Sequence, residues 1–182
     1  IDMWYLEKLH NIHKGNIGLE TAMASCEELG ESLVVRLKRL GFSDRRIAGK
    51  LGISESEFAQ RRRNMGIIPV RKCIDTVAGE FEADTNYHYL TYHSRSDEAI
   101  TNKKGRETVI VLGSGKYRIG SSVEFDYATV GCVQALMSEG YRTIVVNYNP
   151  ETMSTDYDVS DNLYFEELSA ETVEELSLIH IS

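Results

Sequence analysis

Two apolar runs, Thr108-Val109-Ile110-Val111-Leu112 and Thr143-Ile144-Val145-Val146-Asn147, decide the fold of the second half of the chain. Each is short, continuous and β-branched, as in a parallel strand covered on both faces. Between them lie Gly113-Ser114-Gly115 and an apolar stretch that runs to about Ser138, with Gly140 as its stop. Ser121 and Glu124 have the spacing of a capping box that would open that helix. The order strand, turn, helix, strand is one βαβ unit, which joins parallel strands with a right-handed crossover. A third strand at Leu163-Tyr164-Phe165 and a helix after Ser169 extend the same pattern.

Residues 1–72 have a different period. Trp4, Leu6, Leu9 and Ile12 suggest a first apolar helical stripe, and Leu33, Val34, Leu37 and Leu40 a buried face. Gly41 stands where a left-handed cap belongs. Ser43 to Leu51 is a second short helix ending near Gly52, and Ser54 with Glu57 opens a third that ends near Gly66. Tyr87 to Thr91 suits a short strand, and Ser94 to Arg106 reads as a polar linker. The domains expected are therefore 1–76 helical, 77–107 connecting, and 108–182 α/β.

The 182 residues carry a net charge of −8, unevenly spread. Residues 1–72 hold 13 Lys/Arg against 9 Asp/Glu, whereas residues 108–182 hold 3 against 12. The acidic total argues against general nucleic-acid affinity. Cys26, Cys73 and Cys132 lie far apart without zinc spacing and read as incidental thiols. The five histidines likewise lack ligand spacing, so no metal site is expected. No run approaches the ~20 apolar residues of a membrane span.

Three motifs invite chemistry. The turn Gly113, Gly115, Gly120 follows a buried strand, where backbone can approach a phosphate. It is neither a dinucleotide fingerprint, since Arg118 replaces the third glycine, nor a P-loop, since Tyr117 follows Lys116. Residues 43–66 have the short glycine turn of a helix-turn-helix, with Arg61, Arg62 and Arg63 on the second helix. The carboxylates Glu124, Asp126, Glu151, Asp156, Asp158 and Asp161 lie near the carboxyl ends of the strands, where open α/β sheets collect ligands. No basic or nucleophilic partner accompanies them, so no catalytic residue is assigned.

The stretches Val111 to Tyr127 (VLGSGKYRIGSSVEFDY) and Val146 to Asp158 (VNYNPETMSTDYD) closely resemble the carbamoyl-phosphate synthase large chain. Leu37 to Asp44 and Asp75 to Phe81 resemble that family's helical oligomerisation domain and its exit. The wording Tyr-Arg-Ile-Gly-Ser-Ser at 117–122 is more similar to the eukaryotic multifunctional pyrimidine-pathway form than to the bacterial one. Two features depart from the family: the charge at Lys116, and the tail Ser177 to Ser182, which reads as a non-native junction.

The resemblance implies an internal piece of a larger chain: an α + α/β fold, with a helical oligomerisation module followed by an incomplete Rossmann-like pre-ATP-grasp sheet. It implies a parent ligase that makes carbamoyl phosphate from bicarbonate, glutamine-derived ammonia and two ATP. The parent would use Mg-ATP held by residues outside this stretch. Its partners would be the rest of the synthase chain, a glutamine amidotransferase domain or subunit, and further copies in a homo-oligomer, with neither nucleic acid nor membrane. Its place would be the cytoplasm or the mitochondrion. Glu124 and Glu151 match positions that line the family's carbamate tunnel. The competing reading from the residues alone is a helix-turn-helix regulator fused to a Rossmann-like ligand sensor.

Overall fold

The computed structural model describes residues 1–24, 29–82, 85–98, 105–113 and 123–180, with the side chains of 123–125 excepted. They form two compact units: residues 1–69 with 92–95, and residues 70–91 with 96–182.

The first unit contains α1 (Met3–Ala24), α2 (Glu31–Arg39), α3 (Asp44–Leu51) and α4 (Glu55–Asn64). The caps follow the sequence closely. The Ser43 hydroxyl accepts from the Arg46 amide and the Ser54 hydroxyl from the Glu57 amide. Gly41 and Gly52 adopt φ of 84° and 71°, a region costly for side-chain-bearing residues. Leu19, Val34, Leu37, Phe42, Ile47 and Phe58 form the core. Gly15 lets Leu40 approach α1, because a Cβ there would stand 2.8 Å from Leu40 Cδ1.

The stripe expected on α1 is not buried. Trp4 is 56% exposed and Leu9 62%, and Leu6 and Ile12 are exposed as well. The helix buries Gly15 and Leu19 instead. Steps of two, three and three residues from Trp4 wind partly around a helix rather than along one side.

Three buried charges tie this unit together. Asp44 accepts from Lys38 Nζ at 2.7 Å and from the Arg62 guanidinium at 2.8–3.1 Å. Arg62 also donates to the Ile67 carbonyl, and Lys38 to the Phe42 carbonyl. The Tyr92 ring lies within 6 Å of both cations, an attractive arrangement for its π face.

The second unit contains β1 (Val70–Cys73), β2 (Tyr87–Thr91), β3 (Thr108–Leu112), α5 (Val123–Ser138), β4 (Arg142–Asn147), a 3-10 turn (Met153–Thr155), β5 (Asn162–Phe165) and α6 (Ala170–His180). The sheet order is β1-β2-β5-β4-β3. All neighbours are parallel except β1 and β2. All six residues of β4 are buried, as a central strand with two covered faces requires. Val145 packs with Val133 of α5, while Ile144 and Val146 pack with Leu176 of α6.

The sheet is wider than the sequence suggests. Residues 70–73 and 87–91 fall in the helical and connecting stretches by composition, yet they form its other edge. The polar stretch after Ser94 also contributes. Asp97 accepts from the Arg71 amide and Glu98 from the Cys73 amide, while the Glu98 amide donates to the Arg71 carbonyl. Two carboxylates thereby occupy donors that an edge strand would otherwise leave open.

Candidate functional site

The carboxyl edge of β3 and β4 is built around Asn147, the fully buried last residue of β4. Gly113, just after β3, donates its amide to the Val146 carbonyl at 2.8 Å. A Cβ on Gly113 would stand 3.0 Å from Asn147 Nδ2 and 3.1 Å from the Val146 oxygen. This glycine therefore serves close packing of two strand ends, and its N–H is engaged within the sheet. That does not fit a phosphate cradle at Gly113. Gly115, Gly120 and the Ser121 end of the expected capping box lie outside the described residues.

From Asn147 the chain turns twice through its own side chains. Asn147 Oδ1 accepts from the Asn149 amide, and Asn149 Oδ1 accepts from the Glu151 amide, at 2.9 and 3.0 Å. These are successive Asx turns, which let a short polar side chain replace a backbone acceptor. Pro150 between them has no N–H to satisfy. A further local closure follows: the Thr152 amide donates to Thr155 Oγ1, which donates to the Thr152 carbonyl. Glu151 is exposed on this loop.

The 3-10 turn is fastened on two sides. Asn147 Nδ2 donates to Ser154 Oγ at 3.0 Å. The Ser154 amide donates to both oxygens of Asp126, at 3.2 and 3.1 Å. Asp126 is 6% exposed and Ser154 fully buried. Glu124 lies in the first turn of α5, two residues before Asp126. The structure thus brings the helix that carries Glu124 and the loop that carries Glu151 to the same end of the sheet.

The other acids divide. Asp161 binds Arg106 and the Thr143 amide and hydroxyl. Burial pushes its carboxyl up, but the Thr143 and Arg106 donors outweigh this and leave it below the usual range. Asp156 and Asp158 line an open groove of about 470 Å³ with Val130, Gln134, Met137, Met153 and Val159. Glu151 does not line that groove. Among the described residues no group of three His, Cys, Asp or Glu could hold a metal ion. Cys132 is exposed, Cys73 is half-buried, and Cys26 lies outside the described residues.

The β2 and β5 strands carry a second group of buried polar side chains. His88 accepts or shares a hydrogen bond with Asn162, and the Tyr164 hydroxyl meets His180 Nε2 at 2.7 Å. Burial, then the Arg71 charge, lowers His88 to about 4; burial, then Arg142, lowers His180 to about 4.

The helix-turn-helix regulator is not supported. Helices α3 and α4 do form such a pair, but their arginines are not presented for base contacts. Arg62 is fully buried against Asp44, Arg61 pairs with Glu57 one turn back, and Arg63 donates to the Ala59 carbonyl. A recognition helix must offer such side chains to a groove.

Family models match residues 1–66 as the carbamoyl-phosphate synthetase large chain oligomerisation domain, and residues 105–180 as the carbamoyl phosphate synthase preATP-grasp domain. The chain is 47% identical over 173 residues to the mitochondrial arginine-specific large chain of Neurospora crassa, covering 95% of this chain and 14% of that protein. It is also 47% identical over 173 residues to the multifunctional protein CAD of Squalus acanthias, covering 95% and 8%. To the large chain of Pseudomonas putida it is 44% identical over 176 residues, covering 97% and 16%. The chain therefore spans about a seventh of such large chains and less of the multifunctional protein. It is as similar to an arginine-specific large chain as to a multifunctional protein. No helix among the described residues is long and apolar enough to cross a membrane. Two family models in series, one over the helical unit and one over the parallel strands from β3 to α6, together with relatives 44–47% identical over 95–97% of its length, show that the chain belongs to the carbamoyl-phosphate synthase large-chain family.

Proposed function

We propose that this chain serves within an ATP-dependent ligase that makes carbamoyl phosphate from bicarbonate, glutamine-derived ammonia and two ATP. Residues 1–76 would supply packing and oligomer contacts and residues 108–182 a pre-ATP-grasp subdomain, with residues 77–107 joining them and adding β2 to the sheet. The parent would work with a glutamine amidotransferase domain or subunit, as a homo-oligomer, in the cytoplasm or a mitochondrion. Its product would feed pyrimidine or arginine synthesis. Mg-ATP would be held by residues outside this chain, and the chain alone would be inactive. The engaged amide and filled Cβ space at Gly113 support that division of labour.

The specific role proposed for the second unit is to line part of the carbamate tunnel with Glu124 and Glu151. The observation that carries this reading is the exposed Glu151 on a hydrogen-bonded loop at the carboxyl edge of the parallel strands. A fixed carboxylate can order water and polar intermediates without a catalytic partner, which suits the absence of an adjacent base or nucleophile among the motifs. The test is Glu151→Lys in a full-length synthase. Carbamoyl-phosphate formation should fall while part of the ATP hydrolysis remains. Unchanged synthesis would refute the tunnel role.

A further inference from the structure

Asp126 is buried, and among the described residues its carboxylate accepts from one group, the backbone amide of Ser154. An ionised acceptor makes a stronger bond to an amide than a neutral one does. Burying a carboxylate is costly unless its bonds are used. Here both oxygens converge on a single N–H, 28 residues further along the chain. Ser154 is held from the opposite side as well, since its hydroxyl accepts from Asn147 at the end of β4. The segment between those anchors is held by the chain of side-chain turns from Asn147 to Asn149 to Glu151.

We propose that Asp126, Ser154 and Asn147 form a clamp that positions Glu151 relative to the first turn of α5, which carries Glu124. The three are positioning residues and touch no substrate. Without the clamp, an exposed loop of polar residues would sample many conformations. With it, the backbone at Glu151 is tied to α5 through Asp126 and to the sheet through Asn147. The separation of the two glutamates then follows from α5 and β4, the rigid parts of the unit. The proposal rests on the tunnel reading of Glu151.

The experiment uses a full-length synthase carrying this segment, with Asp126→Ala, Asp126→Asn and Glu151→Lys side by side. Two quantities are read: hydrogen exchange of peptides covering 147–156, and carbamoyl phosphate formed per ATP hydrolysed. Loss of a charge-assisted bond in Asp126→Ala should speed exchange of that loop about 10- to 100-fold. The product-to-ATP ratio should fall with it, whereas a merely structural lesion would lower both activities together and leave the ratio intact. Asp126→Asn keeps one acceptor and should fall between wild type and Asp126→Ala on both measures. If Asp126→Ala does not fold, Ser154→Ala removes the Asn147 link, keeps the amide bond to Asp126, and should move both readouts the same way.

Unchanged exchange in Asp126→Ala would overturn the clamp whatever Glu151 does. Faster exchange with a normal ratio, alongside a lowered ratio in Glu151→Lys, would overturn the positioning role and leave the tunnel reading standing. A normal ratio in Glu151→Lys would remove the tunnel reading, and the positioning role with it, even where the loop exchanges faster.

Discussion

Removing the Asp44 carboxylate should strongly destabilise the helical unit. Asp44 and Arg62 are fully buried, and Lys38 is 5% exposed. Asp44 compensates both cations at once, through four hydrogen bonds of 2.7–3.1 Å. Asp44→Ala would leave a guanidinium and an ammonium facing each other in the protein interior. Breaking one buried pair in this way costs about 3–5 kcal/mol, because the remaining charge is desolvated and unpaired. Here two buried cations lose the carboxylate they share, so the upper end applies unless Lys38 swings out to water. Small domains have only about 5–15 kcal/mol in total. In a unit of this size about 1 kcal/mol moves the melting midpoint by about 4–8 °C. The helical signal of the chain should therefore melt about 15 °C lower or more, and its urea midpoint should shift in step. A second variant separates charge from packing. Asp44→Leu with Lys38→Met and Arg62→Met removes all three charges, and apolar replacement of buried ion groups is often neutral or stabilising. It should recover most of the loss. A shift of less than about 1 kcal/mol in Asp44→Ala would refute the claim that the network is desolvated and shared.

Two further perturbations test the α/β unit. Gly113→Ala forces a methyl against Asn147 and the Val146 carbonyl, at 3.0 and 3.1 Å; overpacking of this kind should cost about 1–3 kcal/mol in urea denaturation, and a neutral result would mean the strand ends are not held close. Acid should also weaken this unit. His88 and His180 titrate near 4 when folded against 6.5 in an unfolded chain, so the unfolded state binds more protons between those values. Stability should be flat above pH 6.5 and fall as pH drops toward 4. Glu166, raised by burial, works in the opposite sense. Replacing both histidines with Gln should therefore flatten the slope between pH 6.5 and 5, and an unaltered slope would assign it to other groups.

Much of the fold was readable because its signals are local. A cap needs a hydroxyl and an amide three residues on, so Ser43 and Ser54 announce their helices. A buried parallel strand needs an unbroken apolar run, which Thr143 to Val146 supplies. The α1 stripe misled, because hydrophobic residues near a helical spacing do not say whether anything packs on them. The sheet edge at β1 was hidden for a related reason, whereas Tyr87 to Thr91 did suit the strand it forms. Val70-Arg71-Lys72-Cys73 carries two charges and lacks the apolar pattern of a strand, yet it pairs antiparallel with β2 on one side and meets the side chains of Asp97 and Glu98 on the other.

The candidate site divides in the same way. Glu124 and Glu151 are tunnel candidates through resemblance of contiguous motifs alone. Asp126 stood in the same motif with no role attached, because its partner Ser154 is remote in sequence. Arg61, Arg62 and Arg63 looked alike as a basic run, and only packing distinguishes the buried member from its neighbours.

The sequence by itself determined the helical and βαβ halves, the caps of α3 and α4, and the family, since these depend on residue type at short spacing. Only the tertiary structure decided which charges are buried, which apolar faces are covered, and what holds the Glu151 loop. Those properties depend on residues brought together from distant positions, and on how much water is excluded where they meet.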